Sequence, residues 1–209
     1  MRHIYVVTHP QATHHVDGLV GGWYDSVLTD RGLEHAQQLA HELDRRIRQD
    51  HPGQPVVRVV SSDLTRTRET AQLIAETLNV PVQLDARLRE QSYGEAEGQP
   101  TGTHPYAPVP DGGDRLNFMS GPGVESRAVW AGRVYTAMTE LFDDDAPVTI
   151  VVTHGGSLTY AVAVWIGMPL AAADRVKFRA SPGSITVLHD DAFHADRVVA
   201  ELNATAHLL

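Results

Sequence analysis

The sequence contains no cysteine and no long hydrophobic run. The missing cysteines exclude disulfide bonds, thiolate metal sites and cysteine nucleophiles. The longest apolar stretch, residues 160–173, is interrupted by Gly167-Met168-Pro169. It falls short of the roughly 20 residues that a bilayer-spanning helix needs. The apolar run at residues 4–7 is too short for a signal peptide. We therefore expect a cytoplasmic protein that does not engage a membrane.

Basic residues are outnumbered by acidic ones. The 209 residues include 17 Lys and Arg against 26 Asp and Glu, which gives a formal net charge of −9. Non-specific nucleic-acid binding depends on neutralising phosphates, so this balance argues against a nucleic-acid partner. It leaves room for a local cationic pocket that binds a small anion. The length predicts one domain over residues 1–209, as a monomer or a homodimer.

Strand patterns alternate with helix patterns along most of the chain. A β-branched run at residues 4–7 precedes a helix over 29–48, for which Thr29 is a suitable N-cap. The same reasoning predicts strands at 56–60, 82–84, 148–152, 184–189 and 197–202, and helices at 63–79, 125–142 and 157–167. Such alternation is typical of an α/β protein, with a mostly parallel central sheet between two helical layers.

Residues 98–123 differ from the sequence around them. Eleven of these 26 positions are Gly or Pro, so regular structure is not expected. A loop of this length in a compact domain commonly has a function. We interpret the segment as a lid over the site.

Several chemically active side chains follow the ends of predicted strands. His9 follows the first strand, Arg66 lies one turn into the helix after the second, and His154 follows the strand at 148–152. Glu90 comes shortly after the third strand. Ligand sites of open α/β sheets lie beyond the carboxyl ends of the strands. We therefore expect these four side chains to share one pocket.

The motifs around these residues resemble those of the histidine phosphatase superfamily, also called the phosphoglycerate mutase-like family. The resemblance covers nearly the whole chain and rests on motifs that follow the family's order. They are His9, the helix entry at residues 25–32, the arginine-bearing helix at 61–71, the Leu-Arg-Glu…Gly…Glu-Gly stretch at 88–98, the Thr-His-Gly-Gly of 153–156, and the closing Asn-x-x-x-His-Leu of 203–208.

The resemblance implies an enzyme that forms a phosphohistidine intermediate at His9. Arg66 and a protonated His154 would stabilise the transferring phosphoryl group. Glu90 would protonate the leaving oxygen and then activate the water that frees His9. The substrate would be a small phosphorylated metabolite, and neither a metal nor a cofactor would be needed.

The sequence departs from the family pattern next to the nucleophile. Thr8 stands where the family has an arginine that holds phosphate, Pro10 stands where it has glycine, and His15 stands where it has asparagine. Candidate replacements for the lost donor are His14, His15 and Arg87. Further substrate contacts are expected at Thr8 and Gly155, and Trp23 is a candidate aromatic wall or a plain core residue.

These departures leave several functions open. The chain is a phosphatase with a relocated phosphate donor, a member with a changed substrate or reaction, or a protein that binds a phosphorylated ligand without turnover. A phosphoryl-transferring mutase shares the first half-reaction, but the chain is shorter than most resembling mutases, which favours the phosphatase. A metal site at His9, His14, His15 and Asp17 is the least favoured interpretation, because adjacent histidines do not match common zinc spacings.

Overall fold

The computed structural model of the protein describes residues 1–109 and 111–209. Pro110, inside the predicted lid, therefore lies outside the described residues. The strands are β1 (His3–Thr8), β2 (Val57–Ser61), β3 (Val82–Leu84), β4 (Val148–Thr153), β5 (Ile185–Asp191) and β6 (Asp196–Ala204). The α-helices are α1 (Thr13–Val16), α2 (Asp30–Asp50), α3 (Thr65–Leu78), α4 (Arg127–Phe142) and α5 (Ser157–Trp165).

The six strands form one sheet in the order β3-β2-β4-β1-β5-β6. β3, β2, β4 and β1 pair in parallel, whereas β5 runs antiparallel to β1 and β6 antiparallel to β5. The parallel pairing brings the carboxyl ends of β1, β2 and β4 to the same edge. The expected mostly parallel sheet is confirmed.

Successive side chains of the buried strands pack alternately into two hydrophobic cores, one on each face of the sheet. On β1, Ile4 and Val6 pack with α4 and α5, whereas Tyr5 and Val7 pack with α2 and α3. Successive side chains of a strand point to opposite faces, so a strand buried on both sides must be apolar throughout. The result is a three-layer α/β/α sandwich that holds the strand ends rigidly in place.

The predicted elements all occur, with small shifts at their ends. α2 begins after Thr29, whose hydroxyl accepts the Gly32 N–H at 3.0 Å, as expected of an N-cap. α3 begins at Thr65 rather than near residue 63, because its N-cap residue, Leu64, is still extended. The short helix α1 was not predicted, since its four residues are too few to show a helical period.

The described residues between 98 and 123 form turns and bends, without an α-helix or a strand. The segment reaches the rest of the protein through aromatic contacts, including Tyr106 against Tyr93 with ring centroids 6.1 Å apart. Its function as a lid stays a prediction. Within the two described ranges, no helix is long and apolar enough to cross a membrane.

Candidate active site

A pocket of about 260 Å³ opens at the carboxyl ends of β1 and β4. The four residues expected to share a pocket all line it. Its walls are Thr8, His9, His14, His15, Gly21, Gly22, Arg66, Glu90, Tyr93, His154, Gly155, Ala180, Ser181 and Pro182. Thr8, His14, His15 and Arg66 lie in strands or helices, and the other lining residues lie in the loops that connect these elements.

His9 is held with one ring nitrogen available to the pocket. The carbonyl of Pro10 lies 2.8 Å from Nδ1 of His9, and a carbonyl can only accept, so Nδ1 carries the ring proton. Nε2 is then unprotonated and accepts a hydrogen bond from Nε of Arg66 at 3.2 Å. Burial, followed by the charge of Arg66, lowers the pKa of His9 well below its usual value. The ring is therefore a neutral imidazole whose Nε2 is unprotonated, with its lone pair directed at the Nε–H of Arg66.

Arg66 is a buried guanidinium with a fixed orientation. It is 1% exposed, and its terminal nitrogens donate to the carbonyls of Tyr24 at 2.8 Å and Gly22 at 2.7 Å. Burial lowers its pKa to about 10, so it stays charged near neutral pH. A guanidinium has five N–H groups, and three are used here, which leaves two for a ligand. Arg66 therefore supplies positive charge beside His9 with little loss of side-chain entropy on binding.

Glu90 is a half-buried carboxyl group on the wall that follows the third strand. Its Oε2 accepts the N–H of Gly156 at 2.7 Å, and its Oε1 accepts the N–H of Gln91 at 3.0 Å. Burial raises its pKa above the usual value and outweighs these two hydrogen bonds and the charges of Arg66 and Arg133. A carboxyl group with a raised pKa can carry a proton and give it up, as an acid catalyst must.

His154 lies against His9, with ring centroids 5.2 Å apart. Its Nε2 contacts the hydroxyl of Ser62 at 2.9 Å, and its buried Nδ1 has no hydrogen-bond partner within the described residues. Burial, Arg66 and His9 lower the pKa of His154 well below its usual value. These effects favour a neutral ring, and protonation of His154 beside a transferring phosphoryl group stays a prediction.

His14 and His15 face His9 from α1. The His15 ring stacks on the His9 ring at a centroid distance of 5.6 Å, and its Nδ1 accepts the N–H of Ala12 at 3.1 Å. Nε2 of His15 must then carry the proton of the neutral ring. Nδ1 of His14 contacts the hydroxyl of Ser26 at 2.7 Å.

Both rings of α1 have lowered pKa values, which favour their neutral forms. Burial, the neighbouring His15 and Arg66 lower the pKa of His14 to about 3, and partial desolvation and Arg66 lower that of His15. They therefore offer hydrogen bonds as neutral imidazoles.

Thr8 lines the pocket, but its hydroxyl is committed elsewhere. Oγ1 donates its single proton to the carbonyl of Ser181 at 2.6 Å and accepts the N–H of Ser184 at 3.1 Å. These bonds attach the end of β1 to the turn that precedes β5. Thr8 therefore has no free hydroxyl proton to donate to a ligand.

The other predicted contacts divide between the pocket and the surface. Gly155 lines the pocket, whereas Trp23 does not. The Trp23 ring lies 4.8 Å from the guanidinium carbon of Arg89, and its Nε1 donates to the carbonyl of Glu90 at 2.8 Å. Arg87, a candidate phosphate donor, instead pairs on the surface with Asp85 and Glu140, each at 2.7 Å.

A comparison of the sequence with known protein families agrees with this geometry. Residues 4–203 match the model of the histidine phosphatase superfamily, branch 1. The chain belongs to this superfamily. Its histidine phosphatase domain thus accounts for almost every residue of the sequence.

The similar proteins include both mutases and phosphatases by name. The chain is 28% identical over 185 residues to "Probable phosphoglycerate mutase GpmB" of Erwinia tasmaniensis, covering 86% of this chain and 81% of the relative. A mycobacterial glucosyl-3-phosphoglycerate phosphatase, solved with VO3, is 25% identical with a TM-score of 0.76, covering 98% of this chain and all of that one. A structure titled "Mycobacterial hydrolase 1" has the same identity and TM-score and covers 99% of this chain.

Some residues of this histidine phosphatase pocket were missed in the sequence. Tyr93 lines the wall beside Glu90, and the Ala180–Pro182 turn closes the side next to Thr8. The Ser181-Pro182-Gly183 turn just before a predicted strand was a usable signal, because turns at strand ends border the site in this class of sheet. For Tyr93 no such signal exists, since an aromatic side chain in an irregular segment is as consistent with a core position as with a pocket position.

The alternative metal cluster does not form. Asp17 is exposed and does not line the pocket. Over residues 1–109 and 111–209, no three His, Asp or Glu side chains are arranged to hold a metal ion.

Proposed function

We propose that this histidine phosphatase hydrolyses phosphomonoesters through a covalent phosphohistidine at His9. One observation carries the proposal: the unprotonated Nε2 of His9 lies 3.2 Å from a buried guanidinium, in a pocket that also contains a half-buried carboxyl group of raised pKa. A nucleophile, a fixed cation and an acid are the three groups that phosphoryl transfer requires.

In the first step, Nε2 of His9 attacks the phosphorus atom and forms the P–N bond. The bond from phosphorus to the alcohol oxygen breaks, and Glu90 gives its proton to that oxygen. The two remaining N–H groups of Arg66 face the phosphoryl oxygens. The product is an alcohol, and Glu90 is left as a carboxylate.

In the second step, the Glu90 carboxylate takes a proton from water while the water oxygen attacks phosphorus. The P–N bond breaks, inorganic phosphate leaves, and His9 regains its lone pair. The raised pKa of Glu90 suits both roles, because the group must lose and regain one proton in each cycle.

We further propose that His14 and His15 replace the arginine that the family resemblance implies at position 8. The Nε2–H of His15 is a free donor in the tautomer that Ala12 selects. Thr8 cannot serve, since its only hydroxyl proton is bonded to Ser181. Two neutral donors and one guanidinium give this pocket less positive charge than two guanidinium groups would.

A phosphoryl-transferring mutase is the second candidate, favoured by the name of the Erwinia tasmaniensis relative. It would share the first step and differ only in the acceptor of the phosphoryl group. A mutase returns the group to an alcohol, whereas a phosphatase releases it to water.

The test is a panel of phosphomonoesters incubated with purified protein, with and without EDTA, while inorganic phosphate is measured. The proposal expects phosphate release that survives EDTA and is lost in His9→Ala. Phosphate release that stops in EDTA and returns with a divalent ion would contradict it. Transfer between hydroxyl groups without phosphate release would establish the mutase instead.

A further inference from the structure

Glu97, the second glutamate of the stretch at residues 88–98, takes no part in the reaction proposed above. It follows the 3-10 helix Gly94–Ala96, is half-buried, and does not line the pocket. A ligand in the pocket would not contact it. Any influence of Glu97 on the site therefore has to act through other residues.

One oxygen of the Glu97 side chain accepts hydrogen bonds from three donors. Oε1 accepts the backbone N–H of Trp23 at 2.9 Å and that of Tyr93 at 2.8 Å. The hydroxyl of Ser92 donates to the same oxygen at 2.9 Å. Hydrogen bonds to a carboxylate are among the stronger ones in proteins. Glu97 thus joins two segments that are distant in the sequence, one on each side of the pocket.

The first of these segments holds the guanidinium of Arg66. Nη2 of Arg66 donates to the carbonyl of Gly22 at 2.7 Å, and Nη1 donates to the carbonyl of Tyr24 at 2.8 Å. The carbonyl of Gly22 and the N–H of Trp23 belong to one planar peptide unit and point away from each other. Glu97 and Arg66 therefore bond to the two ends of the same peptide unit, and fixing one end fixes the other.

Gly22 makes this close contact possible. Its φ is +60°, a left-handed conformation that favours glycine. A Cβ atom at this position would lie 2.8 Å from Oε1 of Glu97. The carboxylate can approach the peptide unit because residue 22 has no side chain.

The second segment carries the acid of the proposed reaction. Tyr93 lines the pocket, as does Glu90 shortly before it in the chain. Trp23, whose N–H is bonded to Glu97, also donates from its ring Nε1 to the carbonyl of Glu90 at 2.8 Å. The backbone around Glu90 is thus attached to the same residue that determines the position of Arg66.

We propose that Glu97 is a positioning residue, whose carboxylate oxygen fixes the Gly22–Trp23 peptide unit and through it the guanidinium of Arg66 relative to Glu90. The effect on turnover rests on the proposed function. The effect on the orientation of Arg66 does not, because it also governs the binding of an unreactive anion. A misplacement of about 1 Å can cost about 100-fold in rate, so a remote contact of this kind is worth measuring.

The first test measures vanadate binding by titration calorimetry, without turnover. In Glu97→Ala we expect the Kd to rise about tenfold or more, because the guanidinium loses its fixed orientation. The stoichiometry should stay that of the wild type. A merely structural role would instead lower the fraction of protein able to bind and leave the Kd of that fraction unchanged. Glu97→Gln keeps an acceptor oxygen and should bind vanadate within about threefold of the wild type.

A double-mutant comparison tests the route through Arg66. In an Arg66→Gln background, Glu97→Ala should change the Kd for vanadate less than about threefold, because the group that it positions is gone. Glu95→Ala is the matched control. Glu95 is an exposed acid next to Glu97 on the same turn, and its side chain has no hydrogen bond or ion pair within residues 1–109 and 111–209. This variant should bind vanadate like the wild type.

Steady-state rates then connect Glu97 to turnover. We expect kcat/KM of Glu97→Ala for phosphomonoesters to fall about 10-fold to 100-fold, mostly in kcat, with recovery in Glu97→Gln. A wild-type Kd for vanadate in Glu97→Ala would overturn the inference. So would a loss in Glu97→Gln as large as in Glu97→Ala, or an equal loss with and without Arg66. If vanadate binding changes as expected but the wild type hydrolyses no ester, the proposed function fails and the positioning of Arg66 stands.

Discussion

At the residue scale, burial shifts the pKa values of the pocket's histidine and carboxyl groups in opposite directions. It lowers the pKa of His9 and raises that of Glu90, so both groups favour their neutral forms. Attack on phosphorus needs an unprotonated imidazole, and departure of the alcohol needs a protonated acid. One environment, the pocket around Arg66, therefore favours the protonation states that the proposed first step requires.

Glu90→Gln separates protonation of the leaving group from binding. We expect kcat/KM for alkyl phosphates to fall about 100-fold or more, because general acid catalysis contributes about 10²–10⁴-fold. For 4-nitrophenyl phosphate the loss should be small, since its leaving group departs without a proton. Steady-state rates on both substrates check this. An equal loss on both would mean that Glu90 acts by positioning alone.

His14→Gln and His15→Gln test the replacement of the missing arginine. Each should weaken competitive inhibition by inorganic phosphate about tenfold or more, because a hydrogen bond to a charged group contributes about 1.5–3 kcal/mol. The pKa of His14 is about 3, so its contribution should not depend on pH between 6 and 8. Inhibition constants at several pH values measure this. Two variants that bind phosphate as tightly as wild type would remove both histidines from the proposed clamp.

At the scale of elements, the end of β1 is bonded to the turn before β5. Thr8 is 2% exposed and contacts Ser181 and Ser184 through its hydroxyl. An arginine at this position would break these bonds and place a second cation near Arg66. The threonine is thus part of the framework that supports the pocket wall.

We therefore expect Thr8→Arg to lower both kcat/KM and the affinity for vanadate, rather than to improve them. The loss of a buried hydrogen bond and the added bulk together cost about 2–4 kcal/mol of stability. Thr8→Val, which keeps the shape and removes the hydroxyl, controls for the hydrogen bonds alone. Tighter vanadate binding in Thr8→Arg would show that the position still accepts a phosphate clamp.

The sequence predicts the elements better than it predicts contacts between them. The apolar runs of β1 and β4 and the stripe on α2 repeat with clear periods, so their positions follow from local patterns. The rule for strand ends also brings His9, Arg66, Glu90 and His154 into one pocket. The positions of Trp23 and Arg87 could not be predicted, because their partners lie far away in the chain and leave no local pattern.

At the scale of the whole molecule, buried neutral histidines make stability depend on pH. His9, His14 and His154 all have a lowered pKa in the folded protein. Below the unfolded pKa of about 6.5, the unfolded chain binds protons that the folded chain does not. Stability is therefore fully present above that pH and is lost as the pH falls toward the folded values.

We expect the free energy of unfolding to decrease between pH 7 and pH 5 by about 2 kcal/mol for each of these rings. Urea denaturation at both values measures the decrease. His14→Gln should make the decrease in the free energy of unfolding between pH 7 and pH 5 smaller by about 2 kcal/mol, whatever its effect on stability at pH 7. A free energy of unfolding that is constant from pH 7 to pH 5 would contradict the neutral state of these histidines.

The central claim is that His9 carries the phosphoryl group during turnover. The most direct measurement is rapid quenching at alkaline pH during hydrolysis of a good substrate, followed by mass analysis of the peptide that contains His9. We predict one added phosphate on His9 that is stable to base, is lost in acid and is absent from His9→Ala. Turnover at full rate without this modification, or a His9→Ala variant that retains normal activity, would contradict the account.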